Sequence, residues 1–162
     1  MSKEIKKDRL NVFQRIHAVM GEVGTVAKNG KNTFQNYEYA TEADFVHAIR
    51  PLLVKHGLVI IPQNSILNGI TDLAKDNKLT SISIQYNVVA IDDPTDYTQV
   101  TMMGQGTDKG DKGIYKAITG TKKYMIANLF MIATGDDPEN DGPKKKSSVS
   151  KPVKSNIQNE DF

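Results

Sequence analysis

The sequence contains no cysteine, which excludes disulfides, thiolate zinc sites and cysteine nucleophiles. Histidine is almost as scarce. His17, His47 and His56 are the whole supply, and no two of them stand at a metal-ligand spacing. No apolar run approaches the roughly 18 residues that a membrane-spanning helix needs. The opening MSKEIKKDRL lacks the apolar stretch of a secretory signal, so a soluble cytoplasmic protein is expected. Against these absences stand 162 residues, 38% apolar and 25% charged. That composition supports one hydrophobic core and excludes collagen-like, coiled-coil and wholly disordered chains.

The net charge of +2 hides an asymmetry. From Pro143 onward five lysines (Lys144, Lys145, Lys146, Lys151, Lys154) face only Glu160 and Asp161, giving the tail +3. The other 16 basic and 17 acidic residues leave the body at −1. A surface for polyanions must therefore be a local patch rather than a global field. The composition shifts at Asp136, where acids, Pro, Gly, Lys and Ser take over. Three regions are expected: a frayed 1–8, a globular 9–137, and a flexible basic tail over 138–162.

Within the body, Val12, Phe13, Ile16, Val19, Met20, Val23 and Val26 recur at helical spacing, predicting a helix from Asp8 to about Lys28 with Asp8 as cap. A turn follows at Lys28–Asn32, then a short aromatic strand around Phe34, Tyr37 and Tyr39. Thr41-Glu42-Ala43-Asp44 reads as a helix start, with a kink or stop near Arg50 imposed by Pro51. A short strand is expected over 58–61, then an irregular stretch to Lys78 punctuated by Asn68-Gly69 and Asp76-Asn77. Strict alternation over 79–91 predicts a strand. Asp92–Asp96 turns the chain, and 97–103 returns to make a hairpin expected to supply sheet and intersubunit edges. A glycine-rich loop over 104–113 leads into a helix from Ile114 to about Ile132, stopped by Gly135, with Ile114, Ala117, Ile118, Met125, Ile126, Leu129 and Phe130 inward. The fold class is α+β: a small antiparallel sheet with a β-hairpin packed against helices.

The loop and last helix carry the most chemistry. Gly104, Gly106, Gly110 and Gly113 allow close backbone approach. Lys109 and Lys112 lie in the loop; Lys116, Lys122 and Lys123 lie on the helix, which contains no acid. At about 100° per residue Lys112, Lys116 and Lys123 share one stripe, with Tyr115 and Lys122 on a neighbouring one. Ammonium groups can meet phosphates while rings stack on bases, an arrangement suited to single-stranded nucleic acid. The alternatives are a solvated lysine face, with Tyr115 and Tyr124 in the core and Asp108 or Asp111 capping the helix.

Two segments resemble the ERF family of phage and prophage single-strand annealing proteins: FQNYEYATEADFVHAIRPLLVKHGLVI (34–60) and GQGTDKGDKGIYKAITGTKKYMIANLFMIATGDD (104–137). The likeness covers about 12–137 and departs from the family's pattern at Gly113 and Gly120, where helix formers stand. It implies a sheet packed on a helix, as in annealing-type recombination mediators, and rings or filaments on single-stranded DNA. It further implies ATP-independent pairing of complementary strands, with a partner exonuclease that exposes them. Carried onto this sequence, it nominates Lys109, Lys112, Lys116, Lys122, Lys123 and Tyr115 as DNA contacts, with Arg50 and Lys55 as outlying candidates. It calls for no catalytic residue, metal or cofactor. The closing Asn159-Glu160-Asp161-Phe162 is similar to the terminal peptide of bacterial single-stranded-DNA-binding proteins, which docks on host replication and repair partners.

Three rival classes fit parts of the sequence. A phosphate-binding loop needs G-x-x-x-x-G-K-[ST], but Gly106 and Gly110 are wrongly spaced and Asp111 stands where lysine belongs. A metal-dependent nuclease would need Asp108, Asp111, Asp136 and Asp137 together, yet a helix of about 30 Å separates the two pairs. A non-catalytic oligomeric scaffold that binds no DNA is the remaining alternative.

Overall fold

The computed structural model describes residues 9–33 and 36–133. The elements are α1 (Val12–Glu22), β1 (Gly30–Asn32), β2 (Tyr37–Tyr39), α2 (Glu42–Lys55), β3 (Leu58–Asp72), a 3-10 turn (Ala74–Asp76), β4 (Lys78–Ala90), β5 (Asp93–Asp108) and α3 (Gly113–Leu129). β1 and β2 pair as a two-stranded ribbon. The main sheet has the order β3-β4-β5, antiparallel throughout, with helices against one side. This is the expected α+β class. The tail over 138–162, Phe34, Gly135 and the Asp136–Asp137 pair lie outside the described residues.

β4 sets the two faces. Ile82, Ile84, Tyr86 and Val88 point into the helices and are buried, while Ser81, Ser83, Gln85 and Asn87 face the other way. The core gathers Val12, Val19, Phe45, Ile49, Val88, Met125 and Phe130 between sheet and helices. Tyr86 takes its hydroxyl into this core. Thr121 Oγ1 donates its one proton to the Ile118 carbonyl, 2.8 Å away, so the Tyr86 hydroxyl is the donor in the 3.1 Å bond to Thr121 Oγ1.

Several local expectations are corrected. α1 begins at Val12 because Asn11, rather than Asp8, closes a reciprocal capping box with Gln14. It ends at Glu22, not Lys28: Gly21 and Gly24 lie in open space, with no packing to offset their conformational freedom. Phe13 and Met20, expected inward, are exposed. The expected turn at Lys28–Asn32 instead carries β1. Thr41 caps α2 as expected, but the helix runs through Pro51 to Lys55. The carbonyl that Pro51 cannot serve belongs to His47, an exposed residue, where water can take it.

The larger corrections concern the sheet. β3 does not stop at Ile61. It continues to Asp72 along the full length of β4, absorbing Pro62 and Asn68-Gly69 as two register breaks. Pro62 is tolerated because β3 is an edge strand and need not donate outward. The expected hairpin is present, but β4 is the central strand, so the free edges belong to β3 and β5. β5 extends through Gly104–Asp108, so the first half of the expected glycine-rich loop is strand. α3 lies directly on these glycines. A Cβ on Gly104 would sit 2.7 Å from the Ala117 carbonyl oxygen, and one on Gly106 would run into the Gly113 carbonyl oxygen. The glycines admit a helix rather than a ligand. α3 correspondingly presents Gly113, Ala117, Thr121 and Met125 to the sheet, which leaves Ile114 and Ile118 exposed. It ends at Leu129, and beyond the cap Met131, at a positive φ of 52°, lets the Ile132 amide reach the Ala127 carbonyl at 2.8 Å.

One polar residue ties the layers together. Arg15 is 8% exposed. Its guanidinium donates to the carbonyls of Leu10 (2.8 Å), His56 (3.2 Å) and Gly57 (3.1 Å) and to the Asp92 carboxylate (2.8 Å). The start of α1, the end of α2 and the β4–β5 turn thus meet on one side chain, and Arg15 holds the Asp92 carboxyl below its ordinary range. Gly57, at φ 62°, is required there, since a Cβ would sit 2.5 Å from Arg15 Nη1.

Candidate nucleic-acid interface

α3 starts without a side-chain cap. Its N-cap is Lys112, and neither Asp108 nor Asp111 serves the helix end in the expected way. Asp108 instead accepts from the Gly110 amide (2.9 Å) and from Lys116 Nζ (2.5 Å), and Lys116 also donates to the Thr107 carbonyl (2.8 Å). The Lys116 ammonium, with the Gly110 amide, lowers the Asp108 pKa from its ordinary value. This anchors the Lys116 head beside the β5–α3 turn.

Asp111, Lys112, Tyr115, Lys116 and Thr119 line an open, shallow groove of about 530 Å³. Tyr115 is 65% exposed and Tyr124 54% exposed, so neither ring belongs to the core. Lys109 and Lys112 are exposed and make no ion pair among the described residues.

The expected lysine stripe divides at its second half. Lys122 pairs with Glu42 in the first turn of α2, at 2.5 Å. The helix face is therefore not unopposed, because Glu42 and Asp108 each neutralise one of its lysines. Lys123 sits among rings, its Nζ 5.6 Å from the Tyr39 centroid, 6.0 Å from Phe45 and 5.4 Å from Tyr124. Tyr37 stacks obliquely on Tyr39 at 5.9 Å. The fold thus brings Lys112, Tyr115 and Lys116 together at one end of α3. Lys122 and Lys123 go to the seam with β2 and α2, and Lys109 stands on the turn between β5 and α3.

Tyr39, Phe45 and Tyr124 surround Lys123, with Tyr37 against Tyr39, a cluster that no local sequence pattern announces. The alternation Tyr37-Glu38-Tyr39 puts both rings on one side of a strand, but no local pattern told which helix they would face. Of the outlying candidates, Lys55 bonds Glu22 at 2.7 Å beside His56, and Arg50 lies exposed on α2. From Lys112 to Tyr124 the two patches run along about 18 Å of helix. Positive charge beside exposed rings can hold phosphates and stack bases.

Among the described residues no group of three or more His, Asp or Glu could hold a metal ion, and no helix is long and apolar enough to cross a membrane.

Fold and surface define a small α+β protein whose last helix carries two patches of lysine beside exposed rings. The chain belongs to the ERF superfamily, whose model matches residues 12–161, and so to the single-strand annealing proteins of DNA recombination. No curated protein matches it.

Proposed function

We propose that the protein binds single-stranded DNA along α3, assembles on it, and anneals complementary strands without ATP during phage recombination in the bacterial cytoplasm. The observation that carries this reading is a helix with exposed rings beside ammonium groups at both ends: Tyr115 with Lys112 and Lys116 at one, Tyr124 with Lys123 on another side at the other. Lys109, Lys112 and Lys116 meet phosphates; Tyr115, with Tyr39 and Tyr124, offers stacking faces. Lys122 and Lys123 complete the surface, Lys122 after exchange of Glu42 for phosphate. Subunits in a ring or filament hold one strand extended with its bases open, and base pairing with a second strand supplies the driving free energy. No side chain needs to make or break a covalent bond. Each subunit offers few contacts, so useful affinity comes from multivalency. A phage exonuclease would supply the single strands, and host single-stranded-DNA-binding or repair proteins are the further partners.

The ion pairs of Lys116 and Lys122 favour one competing reading, a scaffold whose lysines serve only its own structure. Annealing of two complementary fluorescent oligonucleotides without ATP, across a salt series, separates the two. DNA binding should weaken with salt, and Lys112→Ala/Lys116→Ala should flatten the log–log slope by about 1.4, since each lost phosphate contact on a single strand removes about 0.7. Absence of both binding and annealing by the unmodified protein would establish the scaffold instead.

A further inference from the structure

The sheet face turned away from the helices is uncharged over its whole extent. The strand registers define six rungs across β3, β4 and β5, from Val59–Val89–Tyr97 at one end to Thr71–Leu79–Thr107 at the other. None of these eighteen positions is Asp, Glu, Lys, Arg or His. With 25% of the chain charged, four or five would be expected. The lysines of the candidate site lie on and just before α3, which packs against the other face. A polyanion requires positive charge, so this face fits protein rather than nucleic acid, and depletion of charge is what marks the centre of protein interfaces.

Three pairs of its polar side chains bond to each other within the sheet. Gln99 donates to Asn87 (3.0 Å), Gln105 to Ser81 (3.2 Å), and Asn68 at the edge to Ser83 (2.7 Å). Amides satisfied in this way cost less to remove from water. Among them stand exposed apolar side chains: Ile61, Ile66, Tyr97 and Met103, the last 73% exposed.

We propose that this face is the contact surface for a second copy of the chain, packed sheet against sheet. A neutral face offers a charged partner nothing to pair with and offers its own image nothing to repel. A two-fold axis through its centre, near Gln85, matches each rung with a rung. The face is about 33 Å long and 14 Å wide, including side chains. Its roughly 500 Å² of projection, increased by side-chain relief, approaches the roughly 800 Å² per partner of a standard interface. A two-fold contact closes on itself and joins only two copies, so the inference adds a second contact to the proposed ring or filament, which needs a head-to-tail one of its own, and it rests on that reading only for the DNA surfaces it turns outward. Back-to-back copies turn both α3 surfaces outward, so that one particle carries two strands.

The test uses the full chain without DNA, followed by sedimentation velocity and native mass spectrometry. Gln85→Lys and Gln85→Glu, taken singly, should each raise the dissociation constant of the pair at least about tenfold, because like charges then oppose across the axis. An equimolar mixture of the two should restore the pair. Thr101→Lys, beside Gln85 on the edge strand, should act like Gln85→Lys should the central strand tolerate substitution poorly, and unchanged circular dichroism certifies the fold. Wild-type assembly by Gln85→Lys, a mixture no better than its components, or an oligonucleotide cross-linking to Tyr97 would each overturn the proposal. If the wild type neither binds nor anneals oligonucleotides while the mixture still re-forms the pair, the DNA reading fails and this one stands.

Discussion

Replacing Gly106 by alanine tests whether the glycines before α3 serve packing or ligand approach. The added Cβ would run into the carbonyl oxygen of Gly113 and lie 2.7 Å from the amide nitrogen of Ala117. Both obstacles are backbone, so no rotamer change relieves them, and α3 must lift from β5. Overpacking of a tight contact costs about 1–3 kcal/mol, and a rigid backbone obstacle belongs at the upper end. For a domain of this size each kcal/mol moves Tm by roughly 3–6 °C, so Gly106→Ala should melt about 10–15 °C below the wild type. Gly120 is the internal control. It lies in the same helix with open space around it, and alanine there should stabilise by about 0.5–1 kcal/mol through helix propensity. The two variants should therefore shift the melting curve of the full chain in opposite directions. A Gly106→Ala protein that melts with the wild type, or that keeps its Tm while losing oligonucleotide binding, would refute the packing argument and return these glycines to a ligand.

Arg15→Ala strips donors from three carbonyls and from Asp92; it should cost about 2–4 kcal/mol, read as a lower urea midpoint at unchanged slope. Acid should act on the α2 cap. The Thr41 hydroxyl and then Asn29 hold the Asp44 carboxyl at about 2, below its ordinary 3.8. A depressed carboxyl stabilises the fold above its unfolded value, and that contribution is lost as pH falls from about 4 towards 2. Asp44→Asn should flatten the fall of the urea midpoint across that window, and an unchanged pH profile would show that the cap carries no such linkage.

The class of the fold was legible because its signals are local. Alternation in Lys78–Ala90 and the Thr41–Asp44 box state their own structure. Other boundaries failed where a distant partner decides. Nothing within Gln63–Asp72 announces a strand; its conformation is imposed by β4, which is long enough to pair with it throughout. Gly104 and Gly106 read as a flexible loop because the helix that needs their missing side chains comes later in the chain. At the candidate site, helical arithmetic correctly associated Lys112 with Lys116, but no periodicity could place Tyr39 beside Lys123 or bring Glu42 to Lys122. Those meetings belong to the packing of β2 and α2 on α3. Arg15 escaped notice for the same reason, since a lone arginine within an amphipathic helix resembles any surface cation until its four acceptors are known.

Those acceptors also order events in time. The bond from Arg15 to Leu10 spans 5 residues, those to His56 and Gly57 span 41 and 42, and that to Asp92 spans 77. The guanidinium site is complete only after the end of α2 and the β4–β5 turn already stand side by side, because the long closures cost chain entropy before any bond repays it. α1 should therefore act as a latch that closes late on the sheet and opens early. In native-state hydrogen exchange the Val19 and Val23 amides should be released through a partial opening, while those of Ile84 and Val88 wait for global unfolding.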